Sequence, residues 1–387
     1  MWQSLHDAWW RLATLDRPHS FPDALACRAL QTAAAAYRAA VALRNAAYDR
    51  SWVRPVRLPC RVVSVGNLTV GGTGKTACVE LIASKLARQG RRVAVLSRGY
   101  GGRSGGYWLR WEDGRMAVHS LDGAPAPLDA RADPTGLADE PQLLAAHLPG
   151  VPVVVGRCRD RTGRLACERL QAETLILDDG FQHRRLARDC DIVLVHARMP
   201  FGGWAVLPRG PMREPMDSLR RADVLVITKA DETLETVGAL RERLRAFNRD
   251  AALVTASHAP TSLVDPLGDE HHSLNRLDGA RVGLLSSIGD PAGFEATVRR
   301  LHATIAWHRR FPDHHRYRPE DWEAVAAAAS SGWPDAIVTT EKDWIRLEPV
   351  VRQGPPAPVP LWVLGIRMQL LSGEDDLDAR LAGVGVR

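Results

Sequence analysis

Apolar residues along this chain recur in short runs rich in β-branched side chains, and stretches of helical character separate most of them. RVVSVGN (61–67), RRVAVLSRG (91–99), VPVVVGR (151–157), ETLILDD (173–179), CDIVLVHA (190–197), DVLVITKAD (223–231) and AALVTA (251–256) are apolar at consecutive rather than alternate positions. A strand that is apolar on both faces is buried on both, as in a parallel sheet covered by helices on either side. The intervals 76–89 and 233–247 have the length and character of covering helices. The predicted fold class is therefore α/β, a parallel sheet between layers of helix. Strand-like runs resume at 281–289, 303–311, 335–343 and 360–366, after the polar stretch DPLGDEHHSLN (265–275), which reads as a linker. They predict a second, smaller α/β domain. The expected organisation is a helical segment over 1–50, a main domain over 51–270 and the smaller domain over 271–387, with a tail from about Ser372. Between Gly101 and Pro134, glycine, proline and the alternation in GYWLRWEDGRMAVH predict a hairpin or loop insertion.

The first 50 residues have a different pattern. Trp2, Trp9 and Trp10 fall on a short predicted helix, and a second, alanine-rich helix carrying Arg28, Arg38 and Arg44 is predicted from about Phe21 to Tyr48. Aromatics and arginines beside an apolar face suit a helix lying at a membrane surface. Packing on the protein's own core accounts for the same pattern. No run of about 18 uncharged apolar residues is present, so no membrane span is expected. The start lacks a basic region followed by an apolar core, so no secretory signal is expected either.

Composition adds two constraints. In 387 residues, 45% are hydrophobic and 25% charged, as in a globular protein with room for more than one domain. The net charge of +6 favours an anionic partner: a nucleotide, a nucleic acid, an acidic lipid or a phosphorylated substrate. Six scattered cysteines form no CxxC pair and no zinc-ligand spacing with histidine, so they read as reduced thiols of a cytoplasmic protein.

The chemistry is concentrated where strands end. RVVSVGN leads into Thr69-Val70-Gly71-Gly72-Thr73-Gly74-Lys75-Thr76 and then a helical run. Strand, glycine-rich loop, GKT and helix is the context of a phosphate-binding P-loop. Its glycines let backbone N–H groups turn toward phosphate oxygens, Lys75 can reach the β- and γ-phosphates, and the Thr76 hydroxyl can ligate Mg²⁺. Thr69 stands where the strict pattern has glycine. ATP and Mg²⁺ are the expected cofactors. A P-loop enzyme also needs a carboxylate at the end of a neighbouring strand to position the metal. LDDGFQHRR (177–185) supplies Asp178 and Asp179, either of which can be the ligand while the other acts through water or as an outer partner.

Several other residues admit two readings. Asp139-Glu140 opens a helix, so Asp139 is either a cap or a general base. His314 and His315 in FPDHHRY handle protons or are plain loop residues. Arg98, His183, Arg184 and Arg185 touch phosphate or face water. Thr228-Lys229-Ala230-Asp231 matches the [NT]KxD pattern that reads guanine in GTPases, which raises a rival: a P-loop GTPase or ATPase switch, or a metallochaperone-like NTPase. Against it, no DxxG stands where such a switch would begin.

Taken in order, SVGNLTVGGTGKT, LSRGYGG, ADEPQLLA, LDDGFQHRRL, SSIGDPAGF, FPDHHRY and TTEKDW, over about residues 60–345, closely resemble the tetraacyldisaccharide 4′-kinase family of the lipid A pathway. DDGFQHRRL with FPDHH and TEKD is the specific part; the P-loop alone is generic. SSIGDP departs from the family's GIGNP-like stretch, and Trp344 follows TEKD where alanine is common. The resemblance implies two α/β/α domains of P-loop kinase type with the site in the cleft between them. It implies transfer of the ATP γ-phosphate to the 4′-hydroxyl of an acylated glucosamine disaccharide 1-phosphate. It further implies Asp139 working with His314 on the acceptor hydroxyl, and Asp178 and Asp179 serving Mg²⁺ and catalysis. The location it implies is peripheral, on the cytoplasmic face of the bacterial inner membrane. No nucleic-acid or protein partner is expected. The chemistry agrees: a sugar hydroxyl is a poor nucleophile at neutral pH, and Lys75 with Mg²⁺ can neutralise the transferring phosphoryl group.

Overall fold

The computed structural model describes Trp9 and residues 21–99, 106–121, 137–201, 204–232 and 234–383. The chain begins with helix α1 (Phe21–Asp49), strand β1 (Arg61–Asn67), α2 (Lys75–Arg88), β2 (Val93–Ser97), β3 (Tyr107–Glu112) and β4 (Arg115–Ser120). It continues with α3 (Asp139–His147), β5 (Val153–Val155), α4 (Arg159–Arg169), β6 (Thr174–Asp178), β7 (Cys190–His196), β8 (Val224–Thr228), α5 (Leu234–Phe247) and β9 (Ala252–Asp265). The remainder is β10 (Glu270–His272), β11 (Arg281–Ser286), α6 (Pro291–Arg300), β12 (Thr304–Arg310), α7 (Pro319–Gly332), β13 (Ala336–Thr340), α8 (Glu341–Gln353), β14 (Leu361–Ser372) and α9 (Glu374–Ala382).

Contacts divide the chain into a larger unit (Met1–Ala132, Ala145–Ser257 and Met368–Arg387) and a smaller one (Asp133–Leu144 and His258–Arg367). In the larger unit the strands run in the order β9-β8-β7-β1-β6-β2-β5-β3-β4. All are parallel up to β5; β3 and β4 form the expected hairpin, with β3 antiparallel to β5. Strand β1 lies between β6 and β7, with Val65 level with Asp178 on one side and Ile192 on the other. The loops leaving β1 and β6 therefore start side by side, at the carboxyl edge where open α/β sheets hold ligands. One face of this sheet packs Val193, Val195, Leu225 and Ile227 with Phe181, Leu219, Leu244 and, from α1, Ala34 and Tyr37. The other packs Val62, Leu96, Val154, Leu175 and Leu177 with Ala166 of α4. Each fully buried valine, leucine, isoleucine or phenylalanine among them contributes about 1.5–3 kcal/mol.

The smaller unit has the parallel order β12-β11-β13-β14. Neighbouring residues of one strand enter opposite cores: Leu284 and Val338 join Phe294 and Leu364, whereas Leu285 and Ile337 join Trp322 and Leu347. That is the two-sided burial the consecutive apolar runs predict.

Three expectations change. The polar stretch at 265–275 is not wholly linker, because Glu270–His272 pairs antiparallel with Leu263–Asp265 at the end of the 14-residue β9. The tail from Ser372 is a helix whose Leu377 and Leu381 are buried, started by Gly373 at φ 80°; Lys85 of α2 reaches its Glu374 and Asp378. The units also divide after Ser257 rather than at 270, and residues 133–144 join the smaller unit. Trp2 and Trp10 lie outside the described residues; the Trp9 indole N–H donates to the Pro208 carbonyl at 2.6 Å. Among the described residues no helix is long and apolar enough to cross a membrane.

Candidate functional site

The P-loop leaves β1 as the sequence predicts. Gly71 (φ 109°) and Gly74 (φ 84°) take the left-handed turns, and Gly74 precedes the first residue of α2. Asn67, buried at the end of β1, donates to the Thr73 hydroxyl at 2.9 Å and accepts from Lys75 Nζ at 3.3 Å. Thr69 takes the place of glycine at no steric cost. It is buried, forms a bridge to Met212 and does not have positive φ.

Strand β6 delivers the aspartate pair, and the two acids differ in setting. Asp178 closes the strand and accepts from the Ser97 hydroxyl of β2 at 3.2 Å. Asp179 is itself the left-handed residue of the turn, at φ 52°. Both its oxygens accept from Arg213 Nη1, at 2.9 and 2.7 Å, and Lys75 Nζ stands 3.8 Å away. Burial opposes ionisation of Asp179, but Lys75 and Arg213 outweigh it and hold the carboxyl below its usual range. Arg159, buried on α4, donates to the carbonyls of both aspartates, at 3.0 Å to that of Asp179.

The rest of LDDGFQHRR supports this turn. Gly180 is required for space: a Cβ there would stand 2.6 Å from Leu177 Cβ and 2.7 Å from the Ser64 hydroxyl. Phe181 is fully buried, and Gln182 donates to the Asn67 carbonyl at 2.9 Å. Burial, with Arg159 and Arg188 nearby, lowers the His183 imidazole to about 4, so it is neutral at physiological pH. Arg184 pairs with Asp49 at 2.6 Å and donates to the Asn45 carbonyl of α1; Arg185 pairs with Asp160 at 3.1 Å. The motif's arginines thus make bonds within the unit.

In the smaller unit, Asp139 makes both a local contact at the start of α3 and a distant one to His314. Its Oδ1 accepts from the Glu140 N–H at the start of α3, and its Oδ2 contacts His314 Nδ1 at 3.0 Å. Arg346 Nη1 lies 3.2 Å from the same Oδ2. Burial would raise the Asp139 pKa, but the bond from His314 and the charges of Lys342, His314 and Arg346 bring it down to about 2. The same bond raises His314 above its ordinary value, against burial and Lys342. His314 has φ 60°. His315 turns elsewhere: it stacks on Phe311 and meets Asp321 at 2.8 Å. Asp343 is fully buried, accepting from the Ser287 N–H and hydroxyl (3.0 and 2.7 Å), the Tyr317 hydroxyl (3.1 Å) and Arg346 (2.7 Å). Arg346 therefore links Asp139 to a fixed anchor.

A model of the tetraacyldisaccharide-1-P 4′-kinase family matches residues 26–384. The chain belongs to that family. Among similar proteins, the tetraacyldisaccharide 4′-kinase of Anaeromyxobacter dehalogenans (strain 2CP-C) is 45% identical over 384 residues, covering 98% of this chain and 94% of the relative. That of Syntrophus aciditrophicus (strain SB) is 42% identical over 332 residues, covering 83% and 84%. The crystal structure of LpxK from Aquifex aeolicus in complex with ATP has a TM-score of 0.68 and 28% identity, covering 92% of this chain and 99% of that one.

The family's motifs sort by unit: the P-loop and DDGFQHRR lie in the larger one, and ADEP, SSIG, FPDHH and TEKD in the smaller. Sequence reasoning missed Arg213, Arg159, Lys342 and Arg346. The first two carry no spacing signal, because a fold-dependent contact recruits them; TEKD pointed to the neighbourhood of the others. Arg98 is exposed at the end of β2. Thr228 ends β8, Lys229 has φ 55°, and Ala230–Glu232 form a short 3₁₀ turn. Among the described residues no group of three or more His, Cys, Asp or Glu side chains could hold a metal.

Proposed function

We propose that this family member transfers the γ-phosphoryl group of ATP to the 4′-hydroxyl of tetraacyldisaccharide 1-phosphate, forming lipid IVA. The observation that carries this reading is the Asp139–His314 pair, in a chain that also has the glycine-rich loop Thr69–Thr76. A nucleotide switch has no acceptor alcohol to deprotonate, whereas a kinase acting on a sugar hydroxyl needs an acid–base group for the acceptor proton.

The backbone of Thr69–Thr76 cradles the phosphates, with Lys75 on the β/γ oxygens. The Thr76 hydroxyl and the Asp178 carboxylate are hard oxygen donors suited to Mg²⁺, with Asp179, held by Arg213 and Lys75, as an outer partner. When bound, the ion neutralises charge on the phosphate oxygens. His314, backed by Asp139, takes the hydroxyl proton as the acceptor oxygen bonds to phosphorus and ADP leaves.

The membrane-surface role belongs to α1. Cys27, Ala34 and Val41 are buried on one side, while Leu25, Ala36, Ala40 and Leu43 are exposed. Leu25 and Leu43 are 63% and 66% exposed, and their spacing of five full turns sets them on one stripe. An apolar stripe with arginines beside it suits the anionic surface of a bilayer. The inner membrane's cytoplasmic face is the location this supports.

The test uses ATP or GTP labelled at the γ-phosphate with a dispersed disaccharide 1-phosphate acceptor. Labelled lipid is expected with ATP, reduced on the order of 10²–10³-fold in Lys75→Ala. Hydrolysis of either nucleotide with no labelled lipid would instead support a switch NTPase.

A further inference from the structure

Lys342 is the second residue of α8, and its ammonium meets three groups of the acid–base cluster. Nζ lies 3.4 Å from His314 Nε2, 3.3 Å from Glu140 Oε1 and 3.4 Å from Asp313 Oδ1. The opposite ring nitrogen, Nδ1, is on Asp139. An ammonium has three N–H donors and no acceptor, so its contact with Nε2 requires a lone pair there. A carboxylate only accepts, so its contact with Nδ1 requires a proton there. The two contacts specify one tautomer, neutral, with Nδ1–H toward Asp139 and the Nε2 lone pair outward.

We infer that Lys342 is a positioning residue that holds His314 in this base-ready form by occupying Nε2 with a donor and opposing a second ring proton with its charge. The inference rests on the proposed role of the Asp139–His314 pair. Burial disfavours the ammonium, but Glu140, Asp313 and Asp139 outweigh it and raise the Lys342 pKa, so the charge persists. The charged groups facing His314 are Asp139 from α3, Asp313 from its own loop, and Lys342 from α8; Arg346 reaches the cluster through Asp139. Without Lys342 the ring would face mainly carboxylates and would hold its proton to higher pH. When the acceptor hydroxyl gives its proton to Nε2, its oxygen bonds to phosphorus and the bond to the ADP oxygen breaks. The Lys342 ammonium then keeps Glu140 and Asp313 as partners, and the new imidazolium keeps Asp139.

The test is the pH profile of kcat/KM for the full-length enzyme and for Lys342→Met, Lys342→Arg and His314→Ala. Lys342→Met should move the acid limb up by about one unit, with activity largely recovered by about pH 9, because the lost charge acted on a protonation equilibrium. Lys342→Arg should keep the wild-type limb. A merely structural lysine would give the same fractional loss at every pH, and that result, or an unmoved limb, overturns the inference. The reading of the pair is tested separately. If His314→Ala keeps the acid limb, the Asp139–His314 role fails; if it loses the limb while Lys342→Met leaves the limb in place, only the Lys342 role fails. ¹⁵N NMR of the wild-type His314 ring needs no variant. At pH above the acid limb an unprotonated Nε2 is expected, and a protonated Nε2 there overturns the assignment.

Discussion

Asp139 and His314 shift each other in opposite directions, and the consequence for stability has a sign on each side of neutrality. Asp139 is lowered from 3.8 to about 2. Its contribution is complete above 3.8 and is lost as pH falls toward 2. His314 is raised above 6.5 by its bond to Asp139. Its contribution is complete below 6.5 and is lost as pH rises through the folded value. The pair therefore stabilises the smaller unit most between these limits. Asp139→Asn should lower the urea midpoint most at about pH 4–6.5, and the difference from wild type should narrow on both sides. A difference constant from acid to alkaline pH would mean that the contact does not couple the two titrations. Arg346 links Asp139 to the buried Asp343.

At the scale of elements, the site depends on how closely β1 and the turn after β6 approach each other. A Cβ on Gly66 would lie 2.6 Å from Phe181 Cβ and 2.8 Å from its backbone nitrogen. Gly72 in the P-loop has open space and no positive φ. Gly66→Ala should thus cost about 1–3 kcal/mol of stability and displace the DDGF turn, whereas Gly72→Ala should leave the denaturation midpoint within error. Equal midpoints for the two variants would contradict the packing described. The strands themselves were legible in the sequence, because burial on two faces leaves an uninterrupted apolar run. Their ends were less so: β9 continues beyond its apolar run through a more polar segment to Asp265, and its last three residues pair with β10. The short helix α9 hid in a charged segment whose only apolar anchors are Leu377 and Leu381. The P-loop was legible because its chemistry is local, with glycines, Lys75 and Thr76 contiguous. Asp139 and His314 are 175 residues apart, so family likeness rather than spacing paired them. Arg213 and Arg159 left no trace, because an arginine becomes a site residue only when topology brings it to a carboxylate or a carbonyl.

At the scale of the whole molecule, α1 is the element whose two sides do different things. Its inner side is tied to the segments that build the phosphate site. The Tyr37 hydroxyl donates to the Arg213 carbonyl at 2.9 Å, Asn45 donates to the buried Glu214 at 2.9 Å, and Arg44 donates to the Gln182 carbonyl. Deleting the helix would therefore remove structural bonds along with any surface contact, and loss of membrane association in a truncated protein would be ambiguous. The outer side can be changed alone. Replacing exposed Leu25 and Leu43 with glutamate should leave the bonds to Arg213, Glu214 and Gln182 in place and preserve kinase activity on detergent-dispersed substrate. It should also weaken sedimentation with vesicles of anionic phospholipid by more than about tenfold, since each leucine removed from an apolar phase forfeits about 1.5–3 kcal/mol. Added salt should weaken the wild-type association further, because the basic surface contributes a screened attraction. If the double variant sediments with vesicles as wild type does, the outer stripe of α1 is not the membrane-contacting surface.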